Sequence, residues 1–264
     1  MNNAIGVFDS GVGGLTVARE IMRQLPNETI YYFGDVKNCP YGDKTKEEII
    51  KNTDRAVKFL IDKGVKLVVL ACNTATAAAL EYLQSKYEVP IIGVVQPGAR
   101  RAIQATVNNK VLVLGTKFTA NSKVYDIEIE NINSDIIVFD KACPAFVPFI
   151  ESEGNLDKEA TKNLITETLG NTNTLGVDTV VLGCTHYPIL KEDIEEYYGN
   201  NINVISSGRE AAREVSTVLG YAKLHQKKLN KKEHRFFISQ ESENFNSIAS
   251  KWLNKDINAE VVDV

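Results

Sequence analysis

Two cysteines close near-identical phrases in this chain, GVKLVVLACNTAT at 64–76 and GVDTVVLGCTHYP at 176–188. Each phrase is an apolar run of strand type followed by a small residue, then Cys72 or Cys184, then polar residues that can cap a helix. Each cysteine is expected to sit just before a helix. A thiol ionises more readily at a helix N-terminus or near a positive group. Two such thiols, one a thiolate base and the other a thiol acid, can take a proton from one face of a carbon and return one to the opposite face. That exchange inverts the carbon. Asn73 and Thr74 adjoin the first thiol, and Thr185 and His186 the second. His186 can tune or exchange a proton with Cys184, although a histidine at a helix start can also be an ordinary hydrogen-bonded residue there. Cys39 and Cys143, each followed by proline, lack the strand-end phrase and read as structural.

The loop FDSGVGGLT follows one strand-like run and opens a helix-like one, as nucleotide loops do. Its glycines do not fit G-x-G-x-x-G, and no G-K-[ST] follows. Asp9 at its mouth would repel a pyrophosphate. It suits an ammonium group or a proton to be accepted, with a turn-stabilising hydrogen bond as the alternative. Helix-start N–H groups, with the hydroxyls and amide of Ser10, Asn73, Thr74, Thr76, Thr116, Thr119 and Thr185, suit a carboxylated ligand. Thr76, Thr116 and Thr119 fit equally well as helix caps.

Short apolar runs alternate with amphipathic stretches, which predicts parallel strands covered by helices. The runs place strands at 4–8, 30–33, 67–71, 91–95, 111–115, 136–139, 179–183 and 202–205. LVVLA and TVVLG are apolar on both faces and belong inside a sheet. Leu15, Ala18, Ile21, Met22 and Leu25 share one helical face, as do Ile49, Thr53, Val57, Leu60 and Ile61. Thr45 and Glu48 form a capping box. Pro97 and Pro188 fit the first turn of helices. The repeat has three stations in the same order: Asp9 to Gly11 against Gly115 and Thr116, Asp35 to Gly42 against Asp140 to Pro144, and Cys72 against Cys184. The prediction is two similar three-layer α/β domains with mainly parallel sheets, related by a pseudo-twofold, with the active site in the cleft between them. The first spans 1–96 plus a tail, 208–264, that returns to it, and the second spans 97–207. In the tail, a helix through Val218 and Leu224, a strand at 235–239, a helix through Trp252 and an edge at 260–264 are expected.

The chain has 264 residues, 44% of them hydrophobic and 24% charged, and a net charge of −4. That size supports a substantial core. The acidic balance argues against a nucleic-acid grip or an anionic membrane surface. Lys227, Lys228, Lys231, Lys232 and Arg235 read as a solvated connector. No export signal or membrane-length apolar run is visible, and the scattered cysteines favour reduced thiols, which predicts a cytoplasmic address.

DSGVGGLT at 9–16, CPYG at 39–42, ACNTAT at 71–76, CPAFVPFIE at 143–151 and GCTHYP at 183–188 together resemble glutamate racemase of the aspartate/glutamate racemase superfamily. The resemblance implies a cofactor-independent enzyme that interconverts L- and D-glutamate for peptidoglycan precursors and forms a homodimer. It implies Cys72 and Cys184 as the acid/base thiols, with Asp9 and His186 assisting them and Glu151 orienting His186. Asp9, Ser10, Tyr41, Gly42, Asn73, Thr74, Thr185 and His186 would contact substrate. The alternatives are an aspartate racemase, a one-thiol decarboxylase of the same superfamily, or a non-catalytic small-ligand-binding protein.

Overall fold

The computed structural model describes residues 3–152, 157–199, 202–226 and 233–264. Two compact units divide the chain, one from the described residues up to Val94 with those from Gly208 onward, the other from Val95 to Ser207.

The first unit begins with strand β1 (Ile5–Asp9), helix α1 (Leu15–Gln24), β2 (Ile30–Gly34), α2 (Lys46–Asp62), β3 (Leu67–Leu70), α3 (Asn73–Lys86) and β4 (Ile91–Gly93). Every residue of β1, β2 and β3 is buried, as strands apolar on both faces must be. The capping box is present: the Thr45 side chain accepts from the Glu48 N–H, and the Glu48 carboxylate accepts from that of Thr45. The second unit follows with α4 (Val95–Ala105), β5 (Lys110–Gly115), α5 (Lys117–Ser122), α6 (Val124–Glu130), β6 (Ile137–Ala142), α7 (Phe146–Ser152), α8 (Lys158–Leu169), β7 (Thr179–Gly183), α9 (Lys191–Tyr198) and β8 (Asn203–Ser206). The chain then adds α10 (Ser207–Tyr221), β9 (Arg235–Ile238), α11 (Glu243–Leu253) and β10 (Glu260–Val261).

Both sheets are parallel throughout. The first has the order β10-β9-β2-β1-β3-β4 and the second β6-β5-β7-β8. The core of the first, β2-β1-β3-β4, repeats the order of the second strand for strand. The repeated sequence phrase is therefore a repeated topology, with β3 and β7 as equivalent interior strands. In the first unit the strands rest on one apolar cluster that includes Ile5, Val7, Leu67, Val69, Ala211, Val215 and Phe245. The second unit has its own, with Val111, Val113, Tyr125, Ile129 and Val181.

Several boundaries differ from the periodicity. The fourth strand stops at Gly93, because Val95 already starts α4. The helix expected to run through Leu224 ends at Tyr221, and Lys223 then takes a left-handed conformation at φ 56°. Lys227, Lys228, Lys231 and Lys232 lie outside the described residues. Arg235 is no loose connector: it opens β9, bonds Glu260 at 2.6 Å and stacks over Phe237 at 4.8 Å.

At the amino ends of the strands, Lys66 and Glu28 form a buried ion pair of 2.6 Å. Lys66 also donates to the Leu224 carbonyl, and Glu28 accepts from the Gln226 N–H. The pair thus ties the tail to the first unit. Lys66→Met removes one partner of a buried pair and leaves the carboxylate uncompensated. We expect a loss of about 3 kcal/mol or more, to be measured by urea unfolding.

Candidate active site

Register fixes where the first thiol emerges. Phe8 pairs with Leu70 across β1 and β3, so Ser10 and Cys72, each two residues on, leave the sheet at one level. The Cys72 thiol donates to the Ser10 hydroxyl at 3.6 Å. Cys72 is the N-cap of α3, and its sulfur accepts the N–H of Ala75 at 3.4 Å, an arrangement suited to a thiolate. It is 6% exposed. Asp9, fully buried at the end of β1, accepts the Gly11 N–H at 2.9 Å. The turn-stabilising bond therefore exists, and the carboxylate also stands on the strand beside that of the thiol.

Asn73 and Thr74, buried, open α3. Tyr41, buried in the CPYG loop, donates to Asp35 at 2.6 Å. Burial and then the charge of Asp35 raise the tyrosine's pKa well above its usual value, with Cys72 and Asp9 adding to the effect. Asp35 also accepts two bonds from Asn38. This carboxylate, which holds the CPYG loop, is a contact that sequence reasoning missed; its only signal was its place at the end of a strand.

The second unit repeats the register and changes the neighbours. Leu114 pairs with Leu182, so Thr116 and Cys184 leave together, in the places of Ser10 and Cys72. Cys184 is likewise 6% exposed. Cys184 was expected just before a helix, but Thr185 and His186 intervene, a 3-10 turn, Tyr187–Leu190, follows, and α9 starts only at Lys191. Pro188 lacks the N–H that an ordinary turn would use. A side chain instead attends this sulfur, for His186 Nδ1 lies 3.9 Å from it.

His186 Nε2 lies 2.7 Å from Glu151 Oε1, on α7. Burial favours the neutral ring, but the sulfur of Cys184 and the carboxylate of Glu151 outweigh it and push the histidine up to about 10. Both neighbours thus favour the protonated ring. Tyr187, next in sequence, donates to the carbonyls of Gly115 at 3.1 Å and Cys143 at 2.9 Å, tying two neighbouring loops together. Cys143 is fully buried, and burial pushes its thiol up to about 12, which suits a structural residue.

Thr185 is buried beside Cys184. Gly42 follows Tyr41 in the CPYG loop. Thr116 caps α5, accepting the Thr119 N–H at 3.2 Å and donating to its hydroxyl at 3.1 Å. The Thr76 hydroxyl donates to the carbonyls of Leu70 at 3.1 Å and Cys72 at 2.9 Å, so of its two expected roles its proton serves the backbone. Among the described residues, no group of three or more His, Cys, Asp or Glu is placed to hold a metal ion, and no helix is long and apolar enough to cross a membrane.

Residues 5–215 match the Asp/Glu/Hydantoin racemase family. The chain is 48% identical along its whole length to a glutamate racemase of Staphylococcus aureus, 99% of which is covered. The chain belongs to the glutamate racemase family. Among solved structures, glutamate racemase isoform RacE1 from Bacillus anthracis matches with a TM-score of 0.95 and 40% identity, over 99% of this chain and 98% of the other. A Francisella tularensis glutamate racemase, solved with D-glutamate, matches at 0.91 with 34% identity, again over 99% and 98%. A Picrophilus torridus aspartate racemase shares 17% identity at a TM-score of 0.60, which is a likeness of fold.

The state of His186 is measurable. Its pKa is raised on folding, so it stabilises the fold fully below the unfolded value of about 6.5, and that contribution is lost as pH rises through about 10. Glu151→Gln removes one of the two negative partners. We expect the His186 pKa to fall by about 1 to 3, read from an NMR titration of the imidazole.

Proposed function

We propose that the chain interconverts L- and D-glutamate by proton transfer at the α-carbon between two thiols, Cys72 and Cys184, without a metal or organic cofactor. One observation carries the reading. Each unit ends its equivalent interior strand in a nearly buried cysteine, and each of these cysteines is set against a group that can stabilise its thiolate or exchange its proton. Identity of 48% to a named glutamate racemase over the full length supports glutamate over aspartate, for which the likeness is one of fold alone.

In this mechanism one thiolate removes the α-proton of one enantiomer while the other thiol protonates the opposite face, and the roles reverse for the mirror substrate. Asp9 assists Cys72. His186, oriented by Glu151, assists Cys184. Asp9, Ser10, Tyr41, Gly42, Asn73, Thr74, Thr185 and His186 are the proposed substrate contacts, and Thr116, level with Cys184 as Ser10 is with Cys72, is an additional one. An α-proton is only weakly acidic, so backbone N–H dipoles and exclusion of water must stabilise the carbanion beyond what a positioned base provides. Supply of D-glutamate for peptidoglycan, a cytoplasmic address and a homodimer belong to the same reading.

Incubation with L-glutamate in D₂O is expected to yield D-glutamate carrying deuterium at the α-carbon. Cys72→Ser and Cys184→Ser should each lower racemisation by about 10²- to 10⁴-fold, the scale of a lost general acid or base. Absence of label and of the D-enantiomer would refute the assignment. Full activity after loss of either thiol would favour one-thiol chemistry.

A further inference from the structure

Leu70 and Leu182 hold equivalent places, two residues before the two thiols and in register with Phe8 and Leu114. A buried hydroxyl donates to each carbonyl: Thr76 Oγ1 to Leu70 at 3.1 Å, its proton shared with the Cys72 carbonyl at 2.9 Å, and Ser207 Oγ to Leu182 at 3.3 Å. The two hydroxyls come from unrelated positions. Thr76 lies four residues after Cys72, in the first turn of α3. The residue four after Cys184 is Pro188, which sits in a 3-10 turn and carries no hydroxyl. The second unit draws the group from Ser207, the first residue of α10.

Ser207 is itself held. The phenol of Tyr125, fully buried on α6, is hydrogen-bonded with the Ser207 side chain. A carbonyl only accepts, so the single Ser207 proton goes to Leu182, and the Tyr125 O–H then donates to Ser207. Two glycines make room for this chain. A Cβ on Gly98 would lie 3.3 Å from the phenol oxygen and 3.2 Å from Ser207 Cβ, and one on Gly183 would lie 3.2 Å from the ring. The tyrosine ring thus packs against the residue that precedes Cys184.

We propose that Ser207, held by Tyr125, is a positioning residue for Cys184, and that Thr76 is its counterpart for Cys72. The inference rests on the two-thiol reading above. The last strand peptide aims each sulfur, and a hydroxyl clamped to its carbonyl fixes that aim. Misplacement by a fraction of an ångström at a reacting atom is costly.

The test uses the Haldane constraint. With equal stability of the two enantiomers, kcat/KM is the same in both directions for any variant and cannot tell which thiol is impaired. The primary isotope effect of α-deuterated substrate can. It grows for the enantiomer deprotonated by the impaired thiol and shrinks for the other.

Ser207→Ala is expected to lower kcat/KM by roughly 10- to 10²-fold and to shift the two isotope effects in the same directions as His186→Asn. Thr76→Val should give the mirror-image shift, and Thr76→Ser, which keeps the hydroxyl, should restore the original values. Tyr125→Phe, a milder change that keeps the ring, should follow Ser207→Ala even where the latter folds poorly. Shifts in the same direction for Ser207→Ala and Thr76→Val, or none, overturn the positioning roles while Cys72→Ser and Cys184→Ser remain inactive. If either cysteine variant keeps its activity, the two-thiol reading fails, and the positioning roles fail with it.

Discussion

The placing of each thiol depends on a parallel sheet bringing the carboxyl ends of its strands to one edge, where helix starts and loops supply dipoles beside the charged groups. Strands β3 and β7 are interior, so the residues just past them are held by neighbours on both sides. Register then does the positioning: Ser10 stands level with Cys72, and Thr116 with Cys184. No long side chain has to reach across solvent for either thiol to be placed. The cost of such a location is that nearly every polar group is buried and must be hydrogen-bonded. Bonds from Gly11 to Asp9, from Tyr41 to Asp35 and between His186 and Glu151 meet that requirement.

The two units share a strand order and differ in how they treat sulfur. The first gives its thiol a full helix start and a backbone N–H. The second interrupts the helix with Pro188 and gives its thiol an imidazole, itself anchored on a carboxylate from α7. Under the proposed mechanism this difference is chemically sensible, because the two thiols are assigned to mirror-image substrates. A strictly symmetric pair of thiols would face the asymmetric remainder of an amino acid with identical tools.

Much of this was legible in the sequence because buried parallel strands are written as unbroken apolar runs. The eight predicted strands each fall on an observed one, with ends shifted by no more than a few residues, and the repeated phrase foretold a repeated topology. The cysteines, with Asp9 and His186, stood out because their chemistry is local to a motif. What stayed hidden depends on distance along the chain. Ser207 lies 25 positions from Leu182, and the pairing of Glu151 with His186, 35 positions apart, was legible only through the family resemblance. Nothing in the immediate surroundings of Ser207 or Tyr125 marks them. Thr76 was visible with two readings open, because a threonine near a helix start looks the same whether its hydroxyl faces a ligand or its own backbone. Cys184 was misplaced at a helix start because the phrase it shares with Cys72 outweighed the proline that follows.

The tail strands carry a consequence for how the molecule is made. Strand β9 pairs with β2, about two hundred positions away in the chain, and β10 adds to its far side. The second unit is contiguous from Val95 to Ser207, so all its strands have left the ribosome while the tail is still being synthesised. The first sheet, although its N-terminal strands emerge earliest, keeps β2 as an open edge until the last stretch appears. An unpaired buried-type edge is a template for wrong partners. A chain that has yet to add β9 and β10 therefore presents β2 as an edge that a wrong partner can extend.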